Sequence, residues 1–256
     1  LRILIFDTET IALEKCFCYN LGYIVYDTET AETIEKQDFV IEQIWHNVAL
    51  FETAYYATKR PLYVSAMKGK RAKMLKFGHA MRKMTKAIID NEVECAYAYN
   101  SAFDEKVFAF NCEWYKVANP LDLIPVHDIR GCFHHAFAFT QEYKDFCDSH
   151  ELYTENGNYS TTAESAYRFL MNDNTFEEAH TALADSEIEL AILLACFDNG
   201  NGITLNQPYK AYASVPKKSG KSLTIIDREL QTEIFTYDYT KSRITKNSEG
   251  MTIVLN

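Results

Sequence analysis

The stretch LRILIFDTET, residues 1–10, is apolar on both alternating faces and then closes on Asp7-Thr8-Glu9-Thr10. A strand that is apolar on both faces belongs in the middle of a sheet covered on both sides. In a strand, residues i and i+2 point to the same face. Asp7 and Glu9 therefore present two carboxylates side by side, roughly 7 Å apart along the backbone. A second copy of the tetrapeptide, Asp27-Thr28-Glu29-Thr30, closes the next apolar stretch, GYIVYDTET. Local pattern cannot choose between the two copies, but topology can.

Residues 15–26 and 34–41 read as two further strands joined by the polar turn DTETAETIEKQ. If strand 15–26 returns antiparallel to strand 1–9, its beginning lies beside Asp7, and Asp27 stands about 30 Å away at its far end. Residues 42–68 are irregular. From Gly69 to Asn91 the apolar residues Met74, Phe77, Met81, Met84 and Ile88 recur with the period of an amphipathic helix, with Lys70, Lys73, Lys76 and Lys83 opposite. VECAYAYN at 93–100 is a strand running straight into helical AFDEKVFAFNCEWY at 102–115, and IPVHDI at 124–129 is another short strand. Helices are expected at 130–148, 162–171 and 181–197. Three meandering strands followed by strands alternating with helices imply an α/β fold, a mixed sheet flanked by helices.

Two later segments carry further chemistry. AYNSAFDEKVF puts Asn100 at a strand end and Asp104 in the first turn of a helix, and EEAHTALADSEIEL puts His180 just before a helix and Asp185 within it. In sheets with crossovers, ligands collect at strand ends beside the helix starts that follow. The end of strand 1–9 is in that neighbourhood and the tip holding Asp27 and Glu29 is not, so Asp7 and Glu9 are the expected site. His180 and Asp185 are five residues apart, which on a helix diverges by roughly 140°, so His180 is expected on the preceding loop.

FDTET, NSAFD and HTALAD, in this order across residues 6–185, resemble the three motifs of the DEDDh 3′–5′ exonucleases, DnaQ-like proteins related to the proofreading subunit of bacterial replicative polymerase. The resemblance implies a ribonuclease H-like fold binding two Mg²⁺ or Mn²⁺ ions. By motif position Asp7 would bridge both metals, Glu9 and Asp185 would hold the first, Asp104 the second, and His180 would be the general base. A tyrosine-type relative would carry Tyr four residues before the Asp, where this chain has Thr181. Thr10 and Phe103 match positions that contact the terminal nucleotide, and Thr8 and Asn100 are assigned to substrate with them. The implied reaction removes nucleoside 5′-monophosphates from 3′ ends. Its chemistry suits the residues: hard divalent ions want carboxylate oxygens, two of them stabilise the attacking and leaving oxygens, and histidine is a base that works near neutral pH.

The formal charge of −10 is unusual for a nucleic-acid protein, but it is segregated. Residues 59–86 hold ten Lys or Arg and no Asp or Glu, which leaves −20 on the remainder. That distribution argues against a broad duplex clamp and permits a small site for a strand end. Within the basic segment Lys59, Arg60 and 68–71 are expected to guide an entering phosphate backbone, against the plainer reading of a solvated helix face. The seven cysteines are odd in number and irregularly spaced, as in reduced thiols of an intracellular protein, and offer no zinc site of known spacing. The chain begins on a strand with no basic-then-apolar leader and has no apolar run long enough to span a bilayer, so a cytoplasmic protein without membrane contact is expected.

The expected organisation is an exonuclease domain over 1–200 and a small β-rich extension over 201–256, whose Tyr209, Tyr212, Phe235, Tyr237 and Tyr239 read as its core or a partner surface. The leading expectation is a metal-dependent 3′–5′ exonuclease on single-stranded ends, with DNA favoured over RNA and a DNA polymerase as candidate partner. Its rivals are a catalytically silent module that only holds nucleic acid or protein, and a nuclease for very short or cyclic oligonucleotides.

Overall fold

The computed structural model describes residues 1–198 and 202–217, together with the backbone of four later strands at 222–227, 232–238, 242–247 and 250–255. The chain divides into two compact units, and the division is not a single cut in sequence: one unit comprises Leu1–Tyr143 and Thr161–Tyr212, the other Lys144–Ser160 and Ala213–Asn256.

The first unit is built on strands β1 (Arg2–Thr10), β2 (Cys18–Asp27), β3 (Glu32–Ile41), β4 (Lys73–Leu75), β5 (Cys95–Ala98) and β6 (Val126–Asp128). They form one sheet in the order β4-β3-β2-β1-β5-β6. β2 is antiparallel to both its neighbours, whereas β5 runs parallel to β1 and β6 parallel to β5. The expected α/β architecture, a mixed sheet flanked by helices, is thus observed. β1 is central, and Ile3 to Phe6 are fully buried, as a strand apolar on both faces demands.

The helices are α1 (Glu42–Trp45), α2 (Val48–Phe51), α3 (Arg60–Lys68), α4 (Phe77–Asp90), α5 (Ser101–Tyr115), α6 (Ile129–Phe133), α7 (Gln141–Ser149), α8 (Ala163–Met171) and α9 (Ala182–Asp198). The segment 42–68, read as irregular, holds three of them. The amphipathic period read from Gly69 starts too early, because helix α4 begins only at Phe77. Lys70 adopts φ 58°, a left-handed conformation that ends α3, and residues 73–75 then pair with β3 as the parallel edge strand β4. The helix expected over 130–148 is interrupted by a π turn at His134–Ala138. Residues 15–17, expected in strand, precede β2.

Two contacts fix α9 on the sheet. The side-chain oxygen of Asn20 accepts from the Ala182 N–H at 2.8 Å, while its amide nitrogen donates to Asp38 Oδ1 at 2.6 Å. Beside it, a Cβ on Gly22 would stand 2.2 Å from the backbone nitrogen of Leu183, a clash with main chain that no rotamer relieves. Gly22 is paired with Asp7 across β1 and β2. The helix start therefore crosses the sheet next to Asp7 because one strand residue lacks a side chain.

In the second unit, Tyr159 bridges to Tyr153 and Val215. Asp148 accepts from the hydroxyls of Tyr153 at 2.7 Å and Tyr159 at 3.1 Å, and Lys217 lies over the Tyr153 ring at 3.7 Å. Strands β7 (Ser222–Asp227) and β8 (Thr232–Asp238) form one antiparallel pair, β9 (Ser242–Asn247) and β10 (Gly250–Leu255) another. The side chains of Phe235 and Tyr237 and all of Tyr239 lie outside the described residues. Tyr209 and Tyr212 belong to the first unit, where they pack against His135 and His134.

Candidate active site

At the C-terminal end of β1 four carboxylates come together from three elements. Asp7 and Glu9 come from the strand, Asp104 from the first turn of α5, and Asp185 from the first turn of α9. Asp7 is half-buried, and Glu9, Asp104 and Asp185 are buried. Thr8 points to the other side of the strand from Asp7 in sequence alternation, yet its hydroxyl donates to Asp104 Oδ1 at 2.6 Å and so anchors α5 to β1. Tyr19 donates its hydroxyl to Glu9 Oε2 at 3.4 Å.

Burial is the largest cause that raises every one of these carboxyls, and their mutual repulsion adds to it. Asp7 is pushed well up by burial and then by Asp104, Glu189, Glu9 and Asp185. Glu9 and Asp104 are raised to about 7 and Asp185 to about 8. Lys59 is the cation whose charge opposes this at Glu9 and Asp185. Asp185 Oδ1 is buried with no hydrogen-bond partner. Carboxylates crowded this closely, one of them with an orphaned oxygen, fit hard divalent cations, whose charge would balance the cluster. Glu9, His180 and Asp185 have ligand atoms all within 4.8 Å of one another.

His180 lies on the loop before α9 with φ 53°. Its ring stacks on Tyr56 at 4.1 Å between centroids, and its carbonyl accepts from the Tyr63 hydroxyl at 3.3 Å. Burial and then the Lys59 charge lower its pKa below the ordinary value, which keeps the ring neutral at neutral pH. Glu178 Oε2 stands 3.8 Å from Nδ1. Beside the carboxylates a cleft of about 340 Å³ is lined by Thr8, Glu9, Thr10, Phe103, Tyr55 and Tyr56 among others. Tyr55 is 87% exposed, so its ring is free to meet a ligand.

The remaining expected residues are distributed as follows. Thr10 and Phe103 line the cleft. Asn100 is exposed in left-handed conformation, φ 61°, and its N–H donates to Asp128 Oδ1, so it forms the corner that starts α5. Lys59, next to the acids electrostatically, and Arg60 part company. The Arg60 guanidinium is turned inward over the rings of Trp45 at 4.1 Å and Phe51 at 4.7 Å and donates to the Trp45 carbonyl. It packs these aromatics together, whereas the charge of Lys59 acts on Glu9 and Asp185. Lys68, Lys70 and Arg71 are exposed around the C-terminal end of α3.

Four residues escaped the sequence reading: Tyr55, Tyr56, Glu178 and Glu189. Glu189 carried a detectable signal, because it follows Asp185 by four residues and so shares its helix face. Glu178 lies two residues before His180 but has no periodic signature. The two tyrosines come from the segment read as irregular.

No protein-family model matches the chain, and no curated protein matches it. Among solved structures it is similar to E. coli Exonuclease I in complex with a dT13 oligonucleotide, at 18% identity and TM-score 0.47, over 78% of this chain. It thus spans about two fifths (41%) of that enzyme. It is also similar to the nuclease domain of 3′hExo, a DEDDh family member, bound to rAMP, at 13% identity and TM-score 0.49, over 80% of this chain and 96% of that one. A 3′-exonuclease in a structure of histone mRNA stem-loop recognition is 12% identical, with TM-score 0.49 over 84% of this chain and 74% of that one. These scores are too low for the likeness to carry a function, which rests instead on the residues.

Proposed function

We propose that the chain is a metal-dependent 3′–5′ exonuclease acting on single-stranded nucleic acid, with DNA favoured over RNA. The observation that carries this reading is the convergence of Asp7, Glu9, Asp104 and Asp185 with a neutral His180 at one strand end. Two Mg²⁺ or Mn²⁺ ions held by the four carboxylates would stabilise the attacking and leaving oxygens of a phosphodiester.

The protein's own groups supply the rest. Glu178 stands by Nδ1 of His180, which leaves Nε2 to accept the proton of the attacking water. Stacking on Tyr56 holds the imidazole plane, so that the base is oriented before substrate arrives. Phe103 and the exposed Tyr55 offer aromatic surface on which the terminal base can stack, and Thr10 offers a hydroxyl to its sugar. Lys59 meets the phosphate and, by lowering the pKa of His180, keeps the base unprotonated.

The test is incubation of the purified chain with Mg²⁺ and 5′-labelled single-stranded DNA, single-stranded RNA and duplexes, with Asp7→Ala as control. A ladder that shortens from the 3′ end and is absent in the variant is the expected result. No cleavage of any of them with Mg²⁺ or Mn²⁺ would sink the reading and favour a binding module or a nuclease for very short substrates.

A further inference from the structure

Glu189 is buried at 3% exposure in α9, one helical turn beyond Asp185 and on the same face. Its carboxylate is held by the backbone N–H of Tyr99, the residue between β5 and the corner that starts α5. The side chain therefore lies at the seam where α9 meets the end of β5 and the first turn of α5, which carries Asp104. Its Oε2 is buried with no hydrogen-bond partner. Among the described residues no Lys or Arg pairs with it; the side-chain charges that act on it most are those of Asp104, Asp185 and Glu178. Reciprocally, Asp7 feels Glu189 next after Asp104.

Neither protonation state satisfies this group on its own. As a carboxylate it is an uncompensated buried charge facing like charges, which is costly. As a neutral acid its O–H would need an acceptor, and Oε2 has none. A cation shared with neighbouring carboxylates resolves both problems. Glu9 and Asp185 already have ligand oxygens within 4.8 Å of each other, and Asp7, Asp104 and Glu189 are further acids whose charges act on one another.

Building on the reading of the site as a cation centre, we propose that Glu189 is a fifth carboxylate of that centre, contributing Oε2 to the ion held with Asp7 and Asp104. The motifs that suggested the site contain four acids, so this residue gives the chain a more anionic, tighter second position than they alone would.

Mn²⁺ binding to the whole chain, measured by titration calorimetry without substrate, tests this directly. The wild type is expected to take up two ions. Glu189→Gln, which keeps shape and removes charge, is expected to keep one of them and to bind the other about 10- to 100-fold more weakly. Metal-free melting checks the fold: because Gln keeps the side chain's shape and removes a buried acid that no cation pairs, the variant should melt no lower than the wild type. A Glu189→Gln isotherm matching the wild type would overturn the proposal while leaving the nuclease reading intact. A metal-free variant melting far below the wild type would make Glu189 a structural residue and overturn it too. A wild type that binds no Mn²⁺ would sink the nuclease reading and this one together.

Discussion

The chain contains the tetrapeptide Asp-Thr-Glu-Thr twice, at opposite ends of two paired strands. In the register of β1 and β2, Asp27 lies opposite Arg2, five residues before Asp7, so the two aspartates stand about 17 Å apart along the sheet, closer than the roughly 30 Å expected from strand length alone. Asp27 is well supplied with partners. It accepts from the N–H groups of Glu29 and Thr30, and the Arg2 guanidinium bonds it at 3.1 Å. These hold its carboxyl below the ordinary range, with the Glu29 N–H foremost. Asp7 has the opposite surroundings, half-buried among Asp104, Glu189, Glu9 and Asp185, and its carboxyl is pushed well up. Identical local sequence thus gives one carboxylate that caps a turn and one that is crowded by like charges. Nothing within the tetrapeptide makes the difference; the helices delivered to one end of the sheet do.

The comparison breaks most sharply by substitution. Asp7→Ala should abolish hydrolysis, and Asp27→Ala should leave it nearly unchanged, as followed by release of nucleoside monophosphate. The reverse result would overturn the assignment of the site to the first copy.

Gly22→Ala is expected to cut activity almost as deeply without touching an acid, because the added methyl meets the backbone of Leu183 and pushes the start of α9 away from Asp7. Lower melting temperature together with weaker Mn²⁺ binding would be its signature. Full activity would mean that α9 does not need this close approach.

His180→Ala should retain metal binding and lose about 10²–10⁴-fold in rate. Since the base must be neutral and its pKa is lowered, activity should persist down to the ordinary histidine range and fall only below it. Lys59→Ala should move that acid limb to higher pH, since the lysine charge is one cause of the lowering. An unmoved limb would separate Lys59 from the base.

The smallest effects concern stability, and the two copies should differ in sign. In the metal-free chain Glu9, Asp104 and Asp185 have folded pKa values of about 7, 7 and 8, above their unfolded values near 4. The folded state then binds more protons, so stability is fullest below the unfolded values and is lost as pH rises towards 8. Added Mg²⁺ should restore it, which melting curves at pH 5 to 8 with and without the ion would reveal. Asp27 behaves oppositely. Its lowered value contributes stability present above the unfolded pKa and lost as pH falls through the folded one. Asp27→Asn should therefore lower the melting temperature slightly at neutral pH and flatten its fall in acid.

Much of this was legible in the chain. Strand β1, its D-x-E alternation, the helix start carrying Asp104 and the loop position of His180 all follow from short-range periods of two and 3.6 residues. The elements that escaped were short or set by distant contacts. β4 has only three residues, and its pairing with β3 outweighed the helical period of Met74 and Phe77. Arg60 read as a phosphate guide, yet the aromatic rings of Trp45 and Phe51 draw its guanidinium inward. Tyr56 became part of the site only because His180, over a hundred residues later, stacks upon it.

Residue identity and spacing were enough to establish which side chains could carry the chemistry, because strand alternation and helix pitch follow from covalent geometry and are felt within a few residues. Only the tertiary structure decided which Asp-Thr-Glu-Thr is gathered with the other acids. Burial and like-charge crowding act through space, and they arise where β1, α5 and α9 meet, from residues that are far apart along the chain.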